Sequence, residues 1–315
     1  MFRRIDPMVR LILAALLAAS LLPATGALRE AVQVLSNGAV FVLFLLYGLK
    51  LARAEVCAGL GNARLLVPLT LWVFGAMTAT GWALWQGLDQ IMPPAMALGF
   101  LYLGVLPSTV QSATAYSSLA GGNVASSVIA AALLNLMAVF ISAPLFSLLA
   151  GGAAGGLTGA TLAKVMGLML LPFVLGQIMQ LRLGGWVKAN RSATTFLERG
   201  TIALAVYAAF SGAVSEGVWH RVGLEDWALL VGACGIMLVV GYGGAWLLGK
   251  ALGLDRGNRI AMLFAGAQKS IAMGAPLAMV LFPPASAGVL LLPLMTYHLT
   301  QMIVAAPIAS RLGEG

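Results

Sequence analysis

The chain has 315 residues, of which 61% are apolar and only 9% are charged, and it carries a formal net charge of +8. Soluble domains contain about 25% charged residues, so this composition excludes a soluble globular protein and indicates an integral membrane protein. A helix needs about 20 apolar residues to cross roughly 30 Å of hydrocarbon. With short loops between them, about ten such helices use the whole chain, and no soluble domain fits beside them.

The apolar segments predict an all-α polytopic membrane protein with ten transmembrane helices. The first segment begins like a signal peptide, with Arg3 and Arg4 before an apolar run. The run continues to Ala27 in a chain built of similar runs, so we expect an uncleaved first helix. In chain order the predicted spans are residues 9–27, 32–51, 65–85, 93–119, 124–150, 162–181, 201–219, 227–249, 260–282 and 288–310.

The basic residues indicate on which side of the membrane the termini lie. An even number of spans places both termini on one side, and that side carries fourteen of the eighteen lysines and arginines. Positive charge marks the cytoplasmic side, so we expect a multi-pass protein of the cytoplasmic (inner) membrane with both termini in the cytoplasm. This topology explains the net charge, and no nucleic-acid partner is expected. The other basic residues are Arg29, Lys164 and Arg221 on the opposite side and Lys269 within a span.

Motifs typical of enzymes are missing from the sequence. It contains no Gly-rich phosphate loop, no zinc-ligand spacing, no pair of carboxylates within the spans and no nucleophile beside a base. Cys57 falls in a predicted loop and Cys234 in a predicted span, which predicts neither a disulfide nor a zinc site. We therefore expect neither catalysis nor a resident cofactor.

Lys269 is the only lysine, arginine, aspartate or glutamate in the interior of a predicted span. An ammonium at membrane depth costs roughly 3 kcal/mol on insertion scales. Lys269 lies about nine residues, or ~14 Å, into its span, which is too deep for its stem to reach the interface. The sequence leaves three roles open: attracting the carboxylate or sulfate of an anionic substrate, carrying protons, or standing where another transporter binds sodium.

The residues around Lys269 also predict a break in the ninth helix. Gln268, Lys269 and Ser270 are consecutive, and a regular helix cannot turn three consecutive side chains toward one surface. Gly274 and Pro276 follow them and favour local unwinding.

Pro107 predicts a similar break in the fourth helix, because proline lacks the N–H group and clashes with the preceding turn. The freed backbone groups cannot face lipid and need polar partners. Polar side chains near Pro107 line an ion or substrate site if the break is functional. If the break is structural, they only bridge a proline kink. The polar side chains available are those of Ser108, Thr109, Gln111 and Ser112.

The two predicted breaks lie half a chain apart. Gln111 and Gln268 are separated by 157 positions and five helices, so a repeat of five helices would cross the membrane in opposite senses. Inverted repeats with interrupted helices in matching places are typical of secondary transporters whose site lies near the membrane midplane. We expect repeats of approximately residues 1–155 and 156–315.

The tenth span carries a second polar band, which includes His298. A lone intramembrane histidine indicates either proton coupling or a hydrogen bond to a neighbouring helix. The same functional and structural interpretations apply to Asn135, Asn37 and Gln177 in other spans.

Several motifs together resemble one transporter family. They are FLLYGLKL at residues 44–51, LPSTVQS at 106–112, AGGNV at 120–124, QKS at 268–270 with Gly274 and Pro276, and PL at 293–294 with Tyr297, His298 and Gln301. They resemble the bile acid:sodium symporter superfamily (SBF-like), and within it the branch of sodium/bile acid cotransporter 7 and its bacterial relatives. The resemblance implies two inverted repeats of five helices, a core domain and a panel domain, and sodium sites beside a crossing of broken helices four and nine.

The chain departs from this family at its sodium sites. Well-studied members carry Glu-x-Gly-x-Gln-Asn-Ser in helix nine, whereas this chain has Phe264 in place of the glutamate and Lys269 in place of the asparagine. The site thus loses a negative charge at one position and gains a positive charge at another, and the net change should repel a sodium ion. Our hypothesis is that Lys269 takes the place of the ion in organising the crossing. The resemblance leaves Ser112, Ser127 and Gln268 as the remnants of a sodium site.

These observations predict a secondary active transporter that moves a small organic anion by alternating access, with sodium or a proton as coupling ion. A non-transporting membrane regulator or scaffold, and a cation/proton antiporter, are the alternatives. The lipid bilayer and the anion are the expected partners, and the oligomeric state is not predicted. The candidate substrate- and ion-binding residues are Gln111, Ser112, Gln268, Lys269 and Ser270, followed by Ser108, Thr109, Ser127 and His298.

Overall fold

The computed structural model of the chain describes residues 7–51, 62–151, 163–217 and 222–314, and all regular structure within these ranges is helical. The all-α prediction is confirmed for this part of the chain. The sequence-based predictions also used residues outside the described ranges, namely Arg3, Arg4, Arg53, Cys57 and Arg221.

Thirteen helices occur in the described ranges. They are α1 (Pro7–Leu21), α2 (Gly26–Lys50), α3 (Ala63–Leu88), α4 (Pro94–Gly104), α5 (Val110–Leu119), α6 (Val124–Ala150), α7 (Ala163–Ala189), α8 (Arg191–Ser215), α9 (Leu224–Ala251), α10 (Arg256–Ala267), α11 (Ile271–Leu281), α12 (Pro284–Leu290) and α13 (Leu292–Gly313). Helices α3, α7 and α9 each contain one five-residue π-helical turn, at Trp72–Ala76, Met166–Leu170 and Val240–Gly244.

Seven helical segments of the described chain are long and apolar enough to cross a membrane, and they match predicted spans two, three, five, six, eight, nine and ten. The other three predicted spans differ for local reasons. The described part of helix α1 has 15 residues and ends before Pro23. The fourth span is divided between α4 and α5, and α8 begins at Arg191, so its first turns are polar. The count of ten membrane spans and their inverted repeat stay predictions.

Both predicted helix breaks are confirmed. The fourth span is interrupted between Gly104 and Val110, around Pro107, and the ninth between Ala267 and Ile271. Gln268, at the start of the second interruption, has extended backbone angles of φ −78° and ψ 142°. The proline and the three consecutive polar residues therefore end these helices where their chemistry predicted.

The described residues fall into two compact units, of which the first comprises Met1–Ala52, Gly152–Gly223 and Gly274–Leu291. Within this unit, α2 and α7 pack backbone against backbone. A Cβ added at Gly48 would overlap the carbonyl of Phe173, and one added at Gly176 would overlap the carbonyl of Leu45. The two glycines therefore permit the close approach of these helices.

Three polar residues of the first unit, Lys50, Gln177 and Glu198, have structural partners. Lys50 and Glu198 form an ion pair of 2.8 Å between α2 and α8, and the amide nitrogen of Gln177 donates to the carbonyls of Gly48 at 2.5 Å and Leu51 at 3.0 Å. Gln177 thus caps the end of α2, which supports the structural interpretation of this residue.

The second unit comprises Arg53–Gly151, Leu224–Met273 and Leu292–Gly315, and it contains all nine candidate site residues. Helices α3 and α4 approach closely, because a Cβ added at Gly104 would lie 2.9 Å from the carbonyl oxygen of Met77. The π-turns of α3 and α9 also meet, since the indole of Trp72 fills the space beside Gly244. Each compact unit draws residues from both predicted repeats.

Candidate functional site

The two helix breaks of the second unit are joined to each other by hydrogen bonds. The main-chain N–H of Ser270 donates to the carbonyl of Pro107 at 2.9 Å, and the hydroxyl of Thr109 donates to the carbonyl of Lys269 at 2.8 Å. Unwound backbone at membrane depth is tolerated only where protein groups replace the lost helix bonds. Each break thus supplies partners that the other needs.

Two further carbonyls of the first break are satisfied by polar side chains of α6. The hydroxyl of Ser142 donates to the carbonyl of Val105 at 2.8 Å, and the amide of Asn135 donates to the carbonyl of Ser108 at 2.7 Å. Buried backbone groups are almost always paired in this way. Asn135 therefore has the structural role that the sequence left open beside a functional one.

The ammonium of Lys269 is surrounded by main-chain carbonyl oxygens. Its side chain is completely buried, and Nζ donates to the carbonyls of Gly104 at 2.7 Å and Leu106 at 2.8 Å, with that of Val73 at 3.4 Å. No carboxylate pairs with it among the residues that the structure describes. Gly104 is the last residue of α4, where the helix dipole places partial negative charge. Carbonyl dipoles therefore compensate this buried charge.

The main chain of Lys269 is held by the side chain of Gln301 from α13. The Gln301 Oε1 accepts from the N–H of Lys269 at 2.8 Å, and Nε2 donates to its carbonyl at 3.1 Å. The same Nε2 lies 2.9 Å from Nδ1 of His298. This arrangement connects His298 with the second break through a single amide group.

The side chain of Gln268 bonds to two hydroxyl groups beside a cluster of aromatic rings. Its Oε1 accepts from the hydroxyl of Ser112, and its Nε2 donates to the hydroxyl of Tyr242 at 3.3 Å. Phe264, which the resemblance aligns with the sodium-binding glutamate, lies between the rings of Tyr116 and Tyr242, with centroid distances of 5.8 and 6.3 Å. Aromatic rings thus pack against the position that the resemblance aligns with that glutamate.

The other candidate residues are placed differently. Ser270 is buried, and its hydroxyl accepts from the N–H of Met273 at 3.2 Å, which caps the start of α11. Ser127 receives a hydrogen bond of 3.1 Å from Ser117 rather than from Ser112 or Gln268. Gln111 is exposed at the start of α5, whereas the buried hydroxyl of Ser108 has no hydrogen-bond partner in the described part of the chain.

Hydrogen bonds therefore connect five of the nine candidates in one network across the breaks, because the Tyr242 hydroxyl accepts from Gln268 and donates to the carbonyl of Gln301 at 3.2 Å. The side chains of Gln111, Ser108, Ser127 and Ser270 do not join this network, and Ser270 contacts the first break through its main-chain N–H. The described residues also contain no group of three or more histidine, cysteine, aspartate or glutamate side chains that could hold a metal ion. The five connected residues are Thr109, Ser112, Gln268, Lys269 and His298.

Some residues of the network could not be identified as partners from the sequence. The three carbonyls that hold the ammonium belong to Val73, Gly104 and Leu106, and every residue of a chain has a carbonyl. Gln301 was recognisable as a polar residue at membrane depth, but only the structure shows its two bonds to Lys269. The sequence marks Lys269 clearly, as a charged residue in an apolar span, but nothing in it marks the carbonyl groups that bind the ammonium.

Comparison with known proteins gives relatives over nearly the full chain. "Putative symporter YfeH" of Escherichia coli is 36% identical over 315 residues, which cover 99% of this chain and 94% of that protein. "Uncharacterized protein PA2026" of Pseudomonas aeruginosa is 36% identical over 306 residues, covering 95% and 90%. "Sodium/bile acid cotransporter 7" of Mus musculus is 21% identical over 277 residues, covering 85% and 80%.

The family assignment agrees with these relatives and with the fold. Residues 6–314 match the SBF-like CPA transporter family. The resemblance found in the sequence motifs is therefore confirmed. This multi-pass, all-helical membrane protein belongs to the SBF-like CPA transporter family.

Proposed function

We propose that the chain is a secondary active transporter that moves a small organic anion across the cytoplasmic membrane by alternating access. The observation that carries this proposal is the meeting of two interrupted helices at Pro107 and Ser270 in a member of a transporter family. Discontinuous helices that meet near the midplane form the binding sites of many secondary transporters. The second unit would be the core domain, the first unit the panel domain, and both termini would be cytoplasmic.

The geometry favours one of the three roles that the sequence left open for Lys269. A completely buried ammonium that donates to carbonyls cannot reach a substrate in the same state. It does supply a fixed positive charge at the broken end of α4, as a bound cation would. We therefore propose that Lys269 replaces the coupling ion and that transport does not require sodium.

The substrate anion would meet the start of α5 rather than the lysine. The N-terminal end of a helix carries partial positive charge and free N–H groups, which favour anions. Gln111 is exposed there, and Thr109 is partly exposed. These two residues are our candidates for contact with a carboxylate or sulfate group.

Flux measurements in proteoliposomes test the proposal. Uptake of labelled organic carboxylates and sulfates is measured while the sodium and pH gradients are varied independently. We expect uptake of at least one anion without sodium, a strong loss in Lys269→Asn, and little change in Lys250→Asn, which alters an exposed lysine. Strict sodium dependence that survives Lys269→Asn would show that the lysine does not replace an ion.

A second measurement separates a transporter from a membrane regulator that keeps the fold. The unfolding temperature of the purified protein is measured across a panel of anions. A ligand at 100 times its dissociation constant stabilises the protein by about 2.7 kcal/mol, so a transported anion should raise the unfolding temperature. No shift with any anion, together with no flux, would favour the regulator.

A further inference from the structure

Three carbonyl oxygens converge on one point of the second unit. The distances from Lys269 Nζ to the oxygens of Gly104, Leu106 and Val73 are 2.7, 2.8 and 3.4 Å. Two of these oxygens come from the end of α4 and the break after it, and the third comes from the π-turn of α3. Backbone carbonyls are oxygen ligands suited to cations, and in channel filters rings of them replace the hydration shell of a monovalent ion. Their convergence therefore has the chemistry of a cation site.

The surrounding fold holds these carbonyls independently of the lysine. The carbonyl of Gly104 also accepts from the hydroxyl of Thr78 at 3.3 Å, and the close packing of α4 on α3 fixes this residue. Leu106 lies between two anchored peptides, because the carbonyl of Val105 accepts from Ser142 and that of Pro107 accepts from the main chain of Ser270. Removal of the lysine side chain should therefore leave the oxygens in place.

The lysine side chain and the oxygens are separate parts of this arrangement. Lys269 belongs to the second break, whereas the three oxygens belong to α3, to the end of α4 and to the first break. The Lys269 ammonium contacts the three carbonyl oxygens from a different segment of the chain. It occupies the position that a cation from solution would otherwise take. Because the oxygens are neutral and no carboxylate of the described residues pairs with the ammonium, the cluster suits a single positive charge rather than a divalent ion.

We propose that the carbonyl oxygens of Val73, Gly104 and Leu106 form a monovalent-cation site that Lys269 fills with its own ammonium, and that this site binds a free cation when the ammonium is removed. The ligand class is a small alkylammonium, ammonium or alkali-metal ion. The inference deepens the proposed role of Lys269 as a replacement for an ion. It concerns binding, so it can be tested without knowledge of the transported anion.

Chemical rescue of Lys269→Ala tests the proposal. This substitution removes the three outer methylene groups and the ammonium, which together correspond to n-propylammonium. The unfolding temperature of the purified variant is measured in n-propylammonium, ammonium, sodium, potassium and choline chlorides at equal ionic strength. We expect a lower unfolding temperature in choline, and a saturable rise toward the wild-type value with n-propylammonium or one of the smaller cations.

Two control proteins make the rescue specific. The wild-type protein and Lys250→Ala, which removes an exposed lysine of the same charge, should show no dependence on the identity of the cation. Lys269→Met keeps the apolar stem and vacates only the position of the ammonium. It should respond to ammonium or an alkali-metal ion, but not to n-propylammonium, because the stem occupies the space of the propyl group.

The proposal is overturned if neither Lys269 variant distinguishes these cations from choline, or if the wild-type protein and Lys250→Ala respond as strongly. A Lys269→Ala protein that stays unfolded in every salt also overturns it, since a cation in the site should restore the fold. These results do not depend on flux. Anion uptake by the wild-type protein without any cation rescue would refute the cation site and leave the transport proposal intact.

Discussion

The side-chain amide of Gln301 pairs with both main-chain polar groups of Lys269, accepting from its N–H at 2.8 Å and donating to its carbonyl at 3.1 Å. A neighbouring strand would offer an unwound segment the same pair of bonds. Water is excluded at membrane depth, so this amide stabilises the unwound backbone of the ninth span. It joins α13 to the break through hydrogen bonds rather than through apolar packing alone.

We expect Gln301→Leu to destabilise the protein. Leucine approximates the volume of glutamine but leaves the buried N–H of Lys269 without a partner, which costs about 1–3 kcal/mol. The unfolding temperature in detergent should fall. Gln33→Leu is the matched control, because the one side-chain partner of Gln33 within the described ranges is Asn37 on the same helix, at 3.2 Å, and we expect a much smaller change. Equal losses in the two variants would contradict a special role for Gln301.

The pairing of Gln301 also predicts the protonation state of His298. The N–H of Lys269 can only donate and its carbonyl can only accept, so Nε2 of Gln301 must be the amide group that faces His298 Nδ1. Nδ1 of His298 must therefore accept this hydrogen bond. We expect a neutral His298 whose ring proton is on its own Nε2.

Nitrogen NMR of histidine-labelled protein checks this state near neutral pH. The chain has two histidines, and His220→Gln assigns the signal of the other one. A signal from protonated Nδ1 would show that the hydrogen bond between Gln301 and His298 is not formed.

We expect Gly244→Ala to be strongly destabilising and Gly243→Ala to be nearly neutral. A Cβ at Gly244 would overlap the indole of Trp72, whereas a Cβ at Gly243 has no heavy atom within 4 Å. Overpacking of this kind typically costs about 1–3 kcal/mol. Thermal unfolding of the two variants gives the comparison, and the pair controls for helix propensity because both glycines lie in the same π-turn. Equal unfolding temperatures would mean that the π-turns of α3 and α9 are not in contact.

The start of α10 should give a pH-dependent contribution to stability. Asp255 accepts from the N–H of Asn258 at 3.0 Å, and this bond holds the pKa of the Asp255 carboxyl below its ordinary value. A depressed pKa means that the stabilisation is present above the ordinary pKa of about 3.9 and is lost as the pH falls through the lowered value. Loss of such a cap typically costs about 1 kcal/mol.

Unfolding temperatures from neutral to acidic pH test this prediction. Asp255→Ala should be less stable than the wild type at neutral pH, and the difference should shrink below about pH 4 as the wild-type carboxyl is protonated. Glu314→Ala removes an exposed carboxylate whose one partner in the described part of the chain is Ser310, at 3.3 Å, and should have little effect at any pH. A difference between Asp255→Ala and the wild type that does not change with pH would contradict the charged cap.

Local chemistry made both helix breaks predictable. Pro107 lacks an N–H group and clashes with the preceding turn, which favours a break, and three consecutive polar residues from Gln268 cannot share one helix face. Helix ends were less predictable where the apolar pattern gave the wrong limit. The predicted seventh span begins at residue 201, whereas helix α8 begins at Arg191. The first turns of α8 are helical but polar, so a search for apolar segments does not find them. The three π-turns were not predicted.

The sequence by itself determined that this is a helical membrane protein, that two of its helices are interrupted, and that one buried lysine needs an explanation. Composition and residue chemistry suffice for these conclusions, because lipid imposes a severe cost on exposed backbone and on charge. Only the tertiary structure decided what surrounds Lys269. Its partners are the carbonyls of Val73, Gly104 and Leu106. Every residue carries this group, so only the folded arrangement of α3, α4 and the two breaks distinguishes these three.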